Sequence, residues 1–122
     1  MTNEEKQLLL KDLCARLPYG VMCQMEDEIR FIGEKSPYYD YILSERHIEL
    51  LKRHKDFNIK PYLRPMSSMT EEEDKIYTEI SMRFCGPLAA KTMIDWCNAN
   101  HFDYRGLIEK GLALEAPEGM YK

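Results

Sequence analysis

Ile94-Asp95-Trp96-Cys97-Asn98-Ala99-Asn100-His101-Phe102-Asp103-Tyr104-Arg105-Gly106-Leu107-Ile108-Glu109-Lys110-Gly111-Leu112-Ala113 decides the fold. It holds the single tryptophan and reads as helix, short joint, helix, stop. Met93, Ile94, Trp96 and Cys97 give the first helix an apolar face, and Asn98 to Asn100 break it. Asp103 caps the second helix, about Tyr104 to Lys110, by accepting from backbone N–H groups two or three residues on. Gly111 stands where a left-handed residue ends a helix, and Leu112 folds back onto the last turn. Lys110 suits the negative end of the helix dipole. The plainer reading is a helix pair that closes a small core around Trp96, Phe102 and Tyr104. The sharper one leaves Tyr104 and Arg105 exposed as a contact surface, both being residue types enriched at binding hot spots.

Around this stretch lies one domain, residues 1–122. With 44% hydrophobic residues the chain is rich enough for one core and too short for two. A net charge of −4 argues against broad nucleic-acid binding, which calls for a basic field. No apolar run approaches the roughly 20 residues that span a bilayer. The start, Met-Thr-Asn-Glu-Glu-Lys, is acidic where a secretory signal is basic, so the expectation is a cytoplasmic protein without a membrane partner. Cys14, Cys23, Cys85 and Cys97 form no C-x-x-C and have apolar neighbours, as buried free thiols do in a reducing compartment.

Taken in order, Thr2 and Glu5 form a capping box. Leu8, Leu9, Leu13 and Leu17 then mark a helix from Asn3 to Arg16, with Lys6, Lys11, Asp12 and Arg16 on other sides, and Pro18 stops it. Tyr19–Met25 reads as a strand with Val21, Cys23 and Met25 pointing one way. Glu28–Ile32 makes a hairpin with it. Tyr38–Leu43 is a strand and Glu45–His54 a helix capped by Ser44, the alternative being one helix from Pro37 to His54. Asp56–Lys60 is a short strand. Pro61 and Pro65 force the segment from Lys60 to Met66 into an extended crossing. Thr70 and Glu73 form a second capping box, before a helix through Ile76, Tyr77, Ile80 and Phe84. Gly86-Pro87 breaks it, and a further helix covers Leu88 to Asn98. The tail from Glu115 to Lys122 is expected to be loose.

Three stretches carry a resemblance: Leu10 to Val21, Lys60 to Glu73 and His101 to Ala113. They resemble segments of a family of small uncharacterised proteins common in gut Bacteroides genomes, their prophages and mobile elements. The resemblance implies a bacterial or phage-borne cytoplasmic protein, with a host or phage protein as partner. It implies no activity, cofactor or catalytic residue. The chain departs from the family's strand-rich pattern between Glu26 and Ile59, where Glu45 to His54 is helix-like.

Few constellations carry chemistry. Cys97 and His101 offer two zinc ligands where three or four are needed, with Cys85 and Asp95 the nearest additions; the plainer reading is a buried thiol and a surface imidazole. Cys14 or Cys23 facing His47 or His54 could make a nucleophile pair, but both cysteines are expected on core faces. There is no P-loop, nucleophile elbow or glycine-rich dinucleotide turn. The basic concentration around Arg46, Lys52, Arg53 and Lys55 could meet phosphates, although Glu45, Glu49 and Asp56 make it an ordinary solvated face. The expectation is therefore an α+β fold, a small antiparallel sheet packed with N-terminal and C-terminal helices. The function expected is a non-catalytic interaction or accessory module, without cofactor, binding through Tyr62, Arg64, Tyr104 and Arg105. Nucleic-acid contact through the basic patch comes second, and a metal or thiol enzyme third.

Overall fold

The computed structural model describes residues 2–26, 38–53 and 58–121. Among them are four α-helices and a five-stranded mixed sheet, an α+β fold. Helix α1 (Asn3–Arg16) begins at the Thr2–Glu5 capping box, with both reciprocal bonds formed. A 3-10 turn at Leu17–Tyr19 and a left-handed Gly20 lead into β1 (Met22–Glu26). β2 (Tyr38–Ile42), α2 (Glu45–Arg53) and β3 (Ile59–Pro65) follow. The second capping box, Thr70–Glu73, starts α3 (Glu71–Arg83). After the joint at Phe84 and Cys85 comes α4 (Gly86–Ala99), then the two-residue strands β4 (Phe102–Asp103) and β5 (Leu114–Glu115). No helix among the described residues is long and apolar enough to cross a membrane.

The strand order is β2-β1-β3-β4, with β5 also paired to β3. β1 runs antiparallel to both β2 and β3, whereas β4 and β5 run parallel to β3. The sheet is thus mixed, not the antiparallel one expected. Parallel pairing needs a long crossover, and the α3–α4 hairpin between β3 and β4 supplies one. Both edges of β1 are occupied; the strand expected at Glu28–Ile32 lies outside the described residues. Strand Tyr38–Ile42 followed by α2 decides between the two readings of that region, and no single helix spans it.

The proline-bearing crossing is itself a strand. Pro61 sits where β3 changes partners: β1 pairs with Ile59, Lys60 and Pro61, then β5 with Tyr62 and Leu63, and β4 with Arg64 and Pro65. A residue without an N–H does least harm where a ladder ends. The register would next place Met22 opposite Tyr62. There the Tyr121 hydroxyl intervenes, accepting from the Met22 N–H at 3.0 Å and donating to the Tyr62 carbonyl at 2.7 Å. The tail expected to be loose is therefore fastened twice, by β5 and by Tyr121.

Val21, Cys23 and Met25 alternate inward as expected, and so do Ile59, Pro61 and Leu63 of β3. Leu9, Leu10 and Leu13 of α1 and Ile48 and Leu51 of α2 join the same apolar cluster, as do Leu107, Leu112 and Ala113. On the opposite side of the strands, Tyr62 donates to Asp40 at 2.8 Å.

The helix expected over Tyr104–Lys110 does not form; a hydrogen-bonded turn over 107–110 takes its place. Gly106, at φ 73°, takes the left-handed conformation just before that turn and prevents any longer run. Both predicted caps nevertheless form. The Asp103 carboxylate accepts from Leu107 and Ile108 N–H at 2.9 and 3.0 Å, four and five residues on, not two or three. Gly111 N–H donates to Ile108 and Leu112 N–H to Leu107, the paired bonds of a Schellman stop. Upstream, α4 runs through Asn98 to Ala99, and His101 takes the left-handed position at φ 64°. Trp96 lies outside the main cluster, half-buried between Tyr77 (5.6 Å between ring centres) and Phe102 (5.4 Å). Cys14, expected on the core face of α1, is exposed.

Candidate functional site

α1 carries an unexpected pair. Asp12 and Arg16 have fully buried side chains, and Arg16 Nε donates to Asp12 Oδ2 at 2.8 Å. Arg16 Nη2 donates to the Phe102 carbonyl at 2.6 Å, tying α1 to β4. Arg105 Nε donates to the other Asp12 oxygen at 3.1 Å, and its Nη2 to the Tyr104 hydroxyl at 3.0 Å. Both guanidiniums lie near the Tyr104 ring, at 5.3 and 4.9 Å from its centre. One carboxylate thus serves two cations, and Arg16 Nη1 has no partner among the described residues.

Two of the four expected contact residues belong to this knot. Arg105 is only 18% exposed and engaged on Asp12, so it braces the interior. Arg64 is similarly engaged: its Nη1 and Nη2 donate to the two Glu73 carboxylate oxygens at 2.8 and 2.7 Å, and it lies 4.2 Å from the Phe102 ring centre. That fork, with the Thr70 N–H behind it, holds the Glu73 carboxyl down at about 2. Tyr62 is half-buried, and burial followed by its bond to Asp40 raises its phenol. Tyr62 and Arg64 therefore share a face of β3, while Tyr104 and Arg105 close the Asp12 cluster.

The reactive readings find little support in the geometry. Burial pushes the Cys23 thiol up to about 12 and raises that of Cys97, so both stay protonated at neutral pH. His101 is buried, stacked on Tyr121 with 3.8 Å between ring centres, and its Nδ1 has no partner among the described residues. Burial first, then the charges of Arg16 and Arg64, lower it to about 4, which keeps it neutral. It lines a depression of about 380 Å³, beside a cleft of about 610 Å³ that shares Arg64 and Tyr121 with it. Among the described residues no three His, Cys, Asp or Glu groups come together as metal ligands. On α2, Lys52 and Arg53 stand 3.9 and 3.7 Å from Glu49, and Arg46 is exposed on the same helix. Lys55 and His54 lie outside the described residues.

The surface that sequence reasoning missed is the α3–α4 hairpin. Helix α3, 13 residues long and capped at its start, has no buried residue. Ile76 is 45% exposed, Met82 79%, Leu88 57% and Ile94 42%. The hairpin is held to the body through Glu73 on Arg64 and through the Tyr77–Trp96–Phe102 ring series. The signal for the Asp12–Arg16 pair was present: with Leu9 and Leu13 these residues complete an i, i+3, i+4, i+7 stripe. For the hairpin the signal was the surplus of apolar residues, Ile76 and Met82, beyond the one inward stripe of Tyr77, Ile80 and Phe84. No family model, curated protein or solved structure matches this chain.

Proposed function

We propose that the protein is a non-catalytic interaction module that meets a protein partner through the α3–α4 hairpin. The observation that carries this reading is that α3 has no buried residue despite its two isoleucines, methionine and tyrosine. Exposed apolar surface of this kind marks contact sites in soluble proteins. Three of the four residues first singled out act beneath that surface: Arg64, paired with Glu73, anchors the start of α3, and Tyr104 and Arg105 brace the strand that Trp96 leans on. The resemblance to proteins of gut Bacteroides, their prophages and mobile elements supports a cytoplasmic setting and a host or phage protein among the partners.

The test is site-specific photocrosslinking in cells that express the chain, with a benzophenone amino acid replacing Ile76 or, as a control, exposed Lys52 on α2. Discrete protein adducts are expected from position 76 and none from position 52. Absence of adducts at 76, or the same adducts from both positions, refutes the hairpin as the contact surface.

A further inference from the structure

We infer that the occupant of the hairpin is a second copy of the chain, joined about a twofold axis through the side of the hairpin that carries Ile76 and Leu88. The inference rests on the interaction reading above and names its partner. Two stripes run along α3. Glu73, Tyr77, Ile80 and Phe84, spaced i, i+4, i+7, i+11, are half-buried and turned toward the body, as Glu73 on Arg64 and Tyr77 against Trp96 show. One residue earlier, Glu72, Ile76, Glu79 and Arg83 form a second stripe, all exposed. The two-residue joint makes α3 and α4 antiparallel neighbours. In such a pair of right-handed helices, the stripes one residue before the facing ones lie on the same side of the hairpin. On α4 the facing stripe contains Ala89 and Trp96, so Leu88 and Asp95 join Ile76 on that side.

The charged ends of the α3 stripe, Glu72 and Arg83, are complementary to each other. A twofold axis midway between Ile76 and Glu79 sets Glu72 of each copy against Arg83 of the other. It also brings the two Ile76 side chains within about 4.5 Å of each other along the helix axis, from a rise of about 1.5 Å per residue, and the two Glu79 side chains to the same spacing, an opposing term that the two Glu72–Arg83 pairs must outweigh. Such an isologous contact forms both ion pairs at once. Among the described residues, neither Glu72 nor Arg83 has an ion-pair partner within its own chain. The face is about 20 Å long and two helices wide, the small end of specific interfaces, which bury about 1,200 Å² in total. Association is therefore expected in the micromolar range.

Sedimentation equilibrium between about 1 and 200 µM tests this. The wild type is expected to move from 14.5 kDa toward twice that mass across the range. Arg83→Glu alone and Glu72→Arg alone should each weaken the dimer at least tenfold, and the double variant Glu72→Arg/Arg83→Glu should restore it. Leu88→Glu should abolish it with an unchanged circular dichroism spectrum. A chain monomeric throughout, or a dimer indifferent to both charge reversals, overturns the inference. Adducts from position 76 at a mass other than the dimer's, with a monomeric chain, would sink the second copy and leave the interaction reading standing. A monomeric chain without any adduct would sink both.

Discussion

Replacing Asp12 with alanine is expected to destabilise the protein more than any surface substitution. The carboxylate is fully buried and accepts from Arg16 Nε at 2.8 Å and Arg105 Nε at 3.1 Å. Without it, Arg16 stays buried with the Phe102 carbonyl as its one remaining acceptor among the described residues. Guanidinium does not deprotonate in proteins, so the charge cannot be shed. Arg105, partly exposed, can turn toward water and adds little. Breaking a buried pair by removing one partner costs about 3–5 kcal/mol, a large share of the roughly 5–15 kcal/mol that holds a domain folded. At about 2.1 cal/mol/K per residue over 122 residues, this lowers the melting temperature by about 12–20 °C.

Two companion variants separate the pair from its surroundings. Arg105→Ala should cost only about 1 kcal/mol, because its partner keeps Arg16. Asp12→Leu/Arg16→Met removes both buried charges at similar volume and should be clearly more stable than Asp12→Ala. Urea unfolding followed by circular dichroism reads all three as shifts in midpoint at constant slope. An Asp12→Ala loss below about 1 kcal/mol refutes the reasoning, as does a double variant that falls as far as Asp12→Ala.

Two further outcomes follow from the tail. Tyr121→Phe strips the hydroxyl that joins the Met22 N–H to the Tyr62 carbonyl, and should cost about 1–3 kcal/mol and speed exchange of the Met22 amide; unchanged protection at Met22 would show that the hydroxyl does not close the ladder. His101, lowered to about 4 from an ordinary 6.5, takes up a proton in the unfolded state first, so its contribution is complete above pH 6.5 and is lost as the pH falls toward 4. His101→Asn keeps a residue that tolerates the left-handed backbone and should lose less stability than wild type between pH 7 and 5 by urea unfolding, and equal losses would remove the assignment.

Local chemistry was legible in the sequence and long-range chemistry was not. The two capping boxes, the Gly111 stop and the inward alternation of Val21, Cys23 and Met25 each depend on residues within a few positions, and each forms as read. Cap signals say where a turn begins and ends without saying whether helix lies between; left-handed Gly106 leaves a hydrogen-bonded turn where a helix was expected. Asp12 and Arg16 were placed outside because charged residues usually are, yet their partners, Phe102 and Arg105, lie 86 and 93 positions away. The same separation hid the fates of Tyr104 and Arg105, whose types suit an interface and whose positions suit a brace. The sheet's parallel half depended on where the chain returns after α3 and α4, which no strand pattern encodes.

The way the hairpin is attached bears on what it is for. The α1–β1–β3 core is apolar and gains from nearly every side chain it buries. The hairpin meets the body through a salt bridge at Arg64 and stacked rings at Trp96. These contacts are directional. They fix orientation with little apolar burial, and so leave Ile76, Met82 and Leu88 in water. A hairpin serving only to complete the fold would sink those residues into the core, as Leu107 and Leu112 do from a much shorter segment. Holding the hairpin through charges and rings while its apolar side stays open is the arrangement expected of a surface kept for another chain. Arg64→Leu separates the two roles: it should loosen the orientation of α3 and lower the yield of position-76 adducts while the main core still unfolds cooperatively. A full adduct yield from Arg64→Leu would mean that the anchoring does not serve the contact.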